Sequence, residues 1–117
     1  MRFFTALSTS LGTVALAAAA VLSGPALAAV DADAAQALAK KSDCFKCHAI
    51  DKSKKGPSMK KIAEKYKGKA DGEEKAIKNM TSSQKVKLDD GTEEEHPVIK
   101  TKDNAAIKNL AQWMLGQ

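Results

Sequence analysis

Cys44-Phe45-Lys46-Cys47-His48 is the stretch that decides the fold, because it contains both cysteines of the 117-residue chain. The pattern C-x-x-C-H is the attachment signature of c-type haem. On a helical turn, Cys44 and Cys47 project from neighbouring points on one face, where each thiol can add across one vinyl group of a porphyrin. His48 lies close enough to that face to put an imidazole nitrogen on the iron. The motif therefore predicts one covalently attached haem c, with His48 as the proximal ligand.

Three other interpretations of the two cysteines remain open. C-x-x-C is also the motif of thioredoxin-like dithiols, although these normally lie in an alternating strand and helix pattern that this chain lacks. A structural zinc site needs four ligands, and His96 is the only histidine left to serve as the fourth. A disulfide between residues three apart would close too small a loop to stabilise the fold much.

Residues 1–28 have the features of a cleaved secretory signal peptide. Arg2 supplies the positive start, and residues 11–22 form a short, alanine-rich apolar stretch that ends in a Ser-Gly-Pro breaker. We expect cleavage after Ala28, with cleavage after Ala29 as the alternative. The apolar stretch is too short for a comfortable membrane span, so we expect an exported, periplasmic protein without stable membrane insertion after cleavage.

The remaining residues, 29–117, are expected to form a single small domain. Arg2 is the only charged residue in the first 28, so its removal lowers the formal net charge from +5 to +4. A domain of this size has little apolar surface to bury and often needs an additional stabilising element. A haem supplies a large apolar disc, which agrees with an aromatic content of only 4%.

Hydrophobic periodicity predicts an all-α domain of about four short helices, with no convincing strand. Ser58 is expected to cap the second helix, Gly68 to end it, and Asp71 to begin a capping box for the third. Residues 81–101 show little periodicity and are predicted to be a long loop, which in a compact domain usually has a function. The predicted helices cover about 33–46, 59–66, 73–80 and 103 to nearly the C-terminus.

Taken together, these features resemble the small bacterial class I cytochromes c, in which a few helices wrap one haem. The resemblance rests on the helix ending in the C-x-x-C-H motif, on the Lys55-Gly56-Pro57 loop, and on the closing helix that contains Leu110 and Trp113. It implies that the first and last helices cross, which would set Leu38 and its small neighbours against Leu110 and Trp113. It also implies that the backbone carbonyl of Pro57 accepts a hydrogen bond from His48, although Gly56 and Pro57 could simply be turn residues.

The chain departs from this family at the position of the distal ligand. The family usually has a Met-Pro step about sixteen residues before the closing tryptophan, but this chain has His96-Pro97 there. We therefore expect His96 to be the distal ligand, giving bis-histidine iron. Two alternatives remain open: Met80 as the sixth ligand, or His96 as a solvated loop residue beside an iron that is open on one side.

Charge is distributed unevenly along the domain. Nine lysines lie within residues 46–69, whereas five acidic residues lie within residues 89–95. Such clusters are often only solvated surface, but lysines near the haem edge would steer acidic redox partner proteins towards it. The lysines lack interleaved aromatic residues, so nucleic acid is not an expected partner.

The sequence as a whole predicts a periplasmic, monomeric, monohaem c-type cytochrome that carries single electrons and is not an enzyme. In this interpretation Cys44 and Cys47 bind the haem, while His48 and His96 bind its iron. The alternative function is a haem-based binder or sensor of a small gaseous ligand with an open distal site.

Overall fold

A computed structural model describes residues 29–117, and the predicted signal peptide lies outside this part of the chain. In this part of the chain, four α-helices surround one core, as the sequence predicts. The elements in chain order are α1 (Ala32–Lys41), a 3-10 turn (Cys44–Lys46), α2 (Met59–Tyr66), α3 (Gly72–Thr81), β1 (Lys85–Lys87), β2 (Glu93–Glu95) and α4 (Asn104–Leu115). Within residues 29–117, no helix is long and apolar enough to span a membrane.

Side-chain caps fix the starts of three of the helices. Asp31 accepts a hydrogen bond from the Ala34 N–H, Ser58 from that of Lys61, and Asp103 from two N–H groups at the start of α4. Each cap satisfies an N–H group that would otherwise lack an intrahelical partner. The predicted cap at Ser58 and the start near Asp103 are therefore confirmed.

Two predicted helix ends are wrong in detail. α1 ends at Lys41 and not near residue 46, because Asp43 adopts a left-handed backbone conformation (φ 62°) that breaks the helix before Cys44. Asp71 makes no capping hydrogen bond; its carboxylate instead pairs with Lys75 at 2.7 Å. Gly68 has a φ of 76° just after α2 and ends that helix as predicted.

The prediction of a loop without strands over residues 81–101 is also wrong. β1 and β2 pair antiparallel, with Lys85 opposite Glu95 and Lys87 opposite Glu93. Opposite charges across the pair favour this register, although strands of three residues offer too little periodicity to be recognised in the sequence. Gly91 has a φ of 85° in the connecting turn, a conformation that glycine adopts readily.

The core is built around the crossing of α1 and α4. Ala35, Ala39 and Ala111 are completely buried, and Leu110 is 2% exposed, so small side chains allow the two helix backbones to approach closely. The predicted contact between the first and last helices is thus confirmed, with Leu38 only half-buried at its edge. The start of α1 is also joined to the middle of α4: the backbone N–H of Asp31 donates to Asn109 Oδ1, and Asn109 Nδ2 donates to the Asp31 carbonyl, both at 2.8 Å.

Candidate haem-binding site

A cavity of about 470 Å³ lies between the helices and the hairpin. Its volume is within the range of sites that bind small molecules and cofactors. Both cysteines and both histidines of the chain line it, as do apolar side chains from α2, α3, β1 and α4. All four residues predicted to hold the haem and its iron therefore lie around one cavity.

The 3-10 turn places the cysteines on the cavity wall. The N–H groups of Cys47 and His48 both donate to the Cys44 carbonyl, at 3.2 and 2.9 Å, and this tight turn brings the three residues together. Both cysteines are half-buried free thiols. Burial raises the pKa of Cys44, and the neighbouring Asp43 raises it further, so this thiol is held protonated.

His48 is held by the loop that follows the motif. Its Nδ1 lies 2.6 Å from the carbonyl oxygen of Pro57. A carbonyl oxygen can only accept, so Nδ1 carries the proton and the lone pair on Nε2 is left for a metal. This is the contact that the family resemblance implies, and it fixes the tautomer and the orientation of the ring.

Gly56 lies so close to the His48 ring that no larger residue fits at this position without a shift. A Cβ atom at this position would lie 2.8 Å from His48 Cε1 and 3.2 Å from Nδ1. The Gly56 N–H also donates to the Cys47 carbonyl at 2.9 Å, which holds the loop against the attachment turn. The Gly-Pro step therefore acts as a support for the imidazole and is more than an ordinary turn.

His96 follows directly after β2 and lines the same cavity. Its backbone N–H donates to the Gln84 carbonyl at 2.7 Å, which extends the hairpin ladder by one bond. Its Nδ1 donates to the Pro97 carbonyl at 2.9 Å, so its Nε2 also has an unused lone pair. Burial lowers the pKa of His96, and the charge of nearby His48 lowers it further against the opposing effect of the Pro97 carbonyl. A neutral imidazole is the form that binds metal.

The separation of the two imidazoles matches that of a pair sharing one metal ion. The ring centroids of His48 and His96 are 6.2 Å apart, with 41° between the planes. A ligating imidazole nitrogen lies about 2.0–2.1 Å from its metal, so two imidazoles on opposite sides of one ion have centroids about 6–6.5 Å apart. Two imidazoles, each with Nδ1 at a proline carbonyl and Nε2 left as the donor atom, also suit haem iron. The residues present thus fit a haem in this cavity.

Three methionines of the described residues lie around the same cavity but belong to the hydrophobic core. Met59, Met80 and Met114 are all buried and all line it. Met80 packs in the same core cluster as Ile99, whose N–H donates to the Met80 carbonyl at 2.9 Å. This environment is typical of a methionine that fills a gap in a core.

A polar chain beside the cavity was not predicted from the sequence. Gln84 donates to Asn79, and Asn79 donates to the hydroxyl of Tyr66. The sequence gives only a weak indication of this contact. Asn79 lies near the end of α3 and Gln84 just beyond it, and carboxamides at such positions are usually exposed to solvent.

Comparison with known proteins agrees with this architecture. The family model for cytochrome c matches residues 32–117. The crystal structure of class 1 cytochrome MtoD from Sideroxydans lithotrophicus ES-1 is similar, with 57% sequence identity and a TM-score of 0.72 over 75% of this chain and 97% of that one. Cytochrome c552 from Nitrosomonas europaea is 30% identical, with a TM-score of 0.53 over 68% of this chain and 95% of that one.

No curated protein sequence matches the chain. The family match covers most of the chain, and both solved structures are similar over nearly their whole length. The chain belongs to the cytochrome c family and has the class I monohaem fold.

Proposed function

We propose that this haem c electron carrier binds its single haem through Cys44 and Cys47, with His48 as the proximal and His96 as the distal ligand of the iron. Haem c supplies one-electron redox chemistry at iron. The protein's own residues would hold the macrocycle and fix both imidazoles. No substrate is transformed, so the role is carriage of electrons and not catalysis.

The single observation that carries the proposal is the 6.2 Å separation of the His48 and His96 rings, both of which line the cavity. Each ring donates from Nδ1 to a proline carbonyl, which leaves both Nε2 atoms as acceptors. The second carbonyl contact gives His96 a fixed orientation like that of His48, which a solvated loop histidine would not need. These contacts support His96 over Met80 as the distal ligand.

Ligand identity has a consequence for the reduction potential. A second imidazole favours oxidised iron relative to a thioether sulfur, and axial ligands move haem potentials over about 0.8 V in total. We expect a potential below that of His/Met-ligated members of the family.

The decisive experiment combines optical and electron paramagnetic resonance spectra of the oxidised holoprotein with spectra of H96A and M80L. The wild type should lack the weak red absorption band that reports a methionine–iron bond. M80L should leave the low-spin signal unchanged, whereas H96A should alter it. A red band that disappears in M80L would contradict the proposal and identify Met80 as the ligand.

The alternative function, binding of a small gas at an open iron, is tested by mixing the reduced protein with carbon monoxide. A distal imidazole must be displaced before carbon monoxide binds, so we expect slow binding in the wild type and fast binding in H96A. Fast binding by the wild type would favour the gas-binding alternative.

The proposal places the protein in the periplasm, where it would exchange electrons with acidic partner proteins as a monomer. Several lysines near the motif are already engaged within the domain: Lys46 pairs with Asp43, and Lys54 donates to the Phe45 carbonyl. Lys65 and Lys87 line the cavity and make no ion pair within residues 29–117. These two are therefore the best placed to meet an acidic partner.

A further inference from the structure

We propose that Tyr66, Asn79 and Gln84 form a positioning chain that holds the backbone of His96 at the cavity. None of the three is offered as a ligand; each acts through the next residue of the chain. The inference rests on the ligand role proposed above for His96.

The side-chain contacts of the positioning chain run in one direction. Gln84 Nε2 donates to Asn79 Oδ1 at 2.8 Å, and Asn79 Nδ2 donates to the Tyr66 hydroxyl at 3.0 Å. Tyr66 ends α2 and Asn79 lies in the last turns of α3, so the chain begins on the helical frame. All three residues are half-buried and line the cavity.

Gln84 connects this side-chain network to His96. Its side chain is fixed to α3 through Asn79, while its carbonyl accepts the His96 N–H at 2.7 Å. A displacement of Gln84 therefore moves the residue proposed to reach the iron. The residues that follow His96 have a separate attachment to the helices: the Ile99 N–H donates a hydrogen bond to the Met80 carbonyl.

The hairpin has little else to hold it against the helices. All three residues of β2 are exposed, and none of residues 85–95 belongs to the buried core. Within the described part of the chain, the positioning chain is thus the polar connection between the helical frame and the residue preceding β1. Its members carry no formal charge, so it can fix His96 without placing an additional charge beside the iron.

The chain is expected to limit how often His96 moves away from the cavity. One intramolecular hydrogen bond typically shifts an equilibrium about two- to tenfold. N79L removes both side-chain bonds at similar volume, Q84M removes the bond nearer His96, and Y66F removes only the distant one. We expect carbon monoxide to bind reduced N79L about tenfold faster than wild type, Q84M somewhat less, and Y66F least.

T81V is the matched control. Thr81 lies at the same end of α3, is exposed, and donates its hydroxyl to the Ile77 carbonyl at 2.8 Å without touching the positioning chain. T81V should bind carbon monoxide at the wild-type rate. The midpoint potential of the holoprotein should shift in N79L and Q84M but not in T81V. A general loss of fold stability would not by itself produce this difference in potential.

The outcomes separate this inference from the proposal on which it rests. If N79L and Q84M bind carbon monoxide no faster than T81V, the positioning role is wrong, even if both variants melt at lower temperature. If N79L does not fold, Q84M and Y66F decide the question, because Y66F loses a single hydroxyl. If the wild type already binds as fast as H96A, the ligand role of His96 is wrong, and the positioning role falls with it.

Discussion

The Asp43 carboxylate lies 2.6 Å from the ammonium group of Lys100, so the residue just before Cys44 is paired with one just beyond His96. The adjacent Ser42 hydroxyl, on a residue only 5% exposed, accepts the Lys100 backbone N–H at 3.0 Å. The turn that carries the two cysteines and the segment that carries His96 are therefore held together directly. Asp43 does this from a left-handed backbone conformation that few residues other than glycine, asparagine and aspartate adopt.

This pair predicts a specific pH dependence of stability. The hydrogen bond and charge of Lys100, followed by those of Lys46, lower the pKa of Asp43 from its ordinary value of 3.8. The stabilisation is therefore fully present above pH 3.8 and is lost as pH falls through the lower pKa of the folded state. D43N tolerates the same backbone conformation but lacks the charge, so we expect it to melt below wild type at neutral pH and to converge with it in acid.

Thermal unfolding of both holoproteins between pH 2 and 7 would measure this convergence. D89N is the control, because Asp89 lies in the hairpin turn and makes no ion pair within residues 29–117. A constant difference between D43N and wild type at every pH would contradict the assigned role of the charge.

Gly56→Ala is expected to displace the imidazole of His48. The added Cβ would lie 2.8 Å from His48 Cε1, closer than non-bonded carbons approach, so the ring or the loop must shift. Overpacking of this kind typically costs about 1–3 kcal/mol. We expect a lower unfolding free energy and a shifted reduction potential, since the hydrogen bond to Pro57 sets the basicity of the ring. G116A, whose Cβ would make only 3.4 Å contacts in the last turn of α4, should change neither quantity appreciably.

Ala39→Val tests the close approach of α1 and α4. Ala39 is completely buried where these helices cross, so two extra methyl groups should cost about 1–3 kcal/mol of unfolding free energy. A34V carries the same change in helix propensity at an exposed position of α1 and provides the control. Equal losses in denaturant titrations of the two variants would mean that helix propensity, and not packing, accounts for the effect.

Loss of the cofactor is expected to unfold most of the domain. The cavity occupies about 470 Å³ at the centre of a chain whose described part has only 89 residues, so the helices have little else to pack against there. A chain of residues 29–117 with both cysteines replaced by alanine should show far-UV circular dichroism of a largely unfolded protein. Native-like helical dichroism without haem would show that the α1–α4 crossing is sufficient by itself.

Electron exchange with an acidic partner is expected to depend on Lys65 and Lys87. Reversing either charge, as in K65E or K87E, should lower the association rate most strongly at low salt, because the Debye length shortens as salt is added. Lys102 does not line the cavity, so K102E serves as the control. Stopped-flow oxidation of the reduced protein by an acidic redox protein at several ionic strengths would measure this, and equal salt dependence in all three variants would contradict a localised docking surface.

The sequence predicts those parts of this fold that depend on strong local rules. Ser58 and Asp103 are caps whose side chains accept from the first turn of their own helix, and Gly68 ends α2 with a positive φ. Such interactions involve residues within a few positions of one another, so the sequence alone contains them.

The parts that were missed depend on partners distant in sequence. β1 and β2 are held by their backbone pairing with each other, which the periodicity of a single strand cannot reveal, and the left-handed Asp43 is fixed by Lys100, 57 residues away. At the site, the C-x-x-C-H motif is sufficient to predict the haem-binding residues. The contact between His48 and Pro57 was predicted from the resemblance to class I cytochromes c. The chain from Tyr66 through Asn79 to Gln84 needs α2, α3 and the hairpin to be assembled before it exists.

The residue proposed as distal ligand comes from a hairpin that contributes nothing to the helical core. Its strands could thus be exchanged for a loop bearing a different donor atom without disturbing the crossing of α1 and α4. The segment proposed to set the reduction potential is therefore separate from the helices that provide the core. Related carriers can therefore differ in reduction potential while they keep the same helical scaffold.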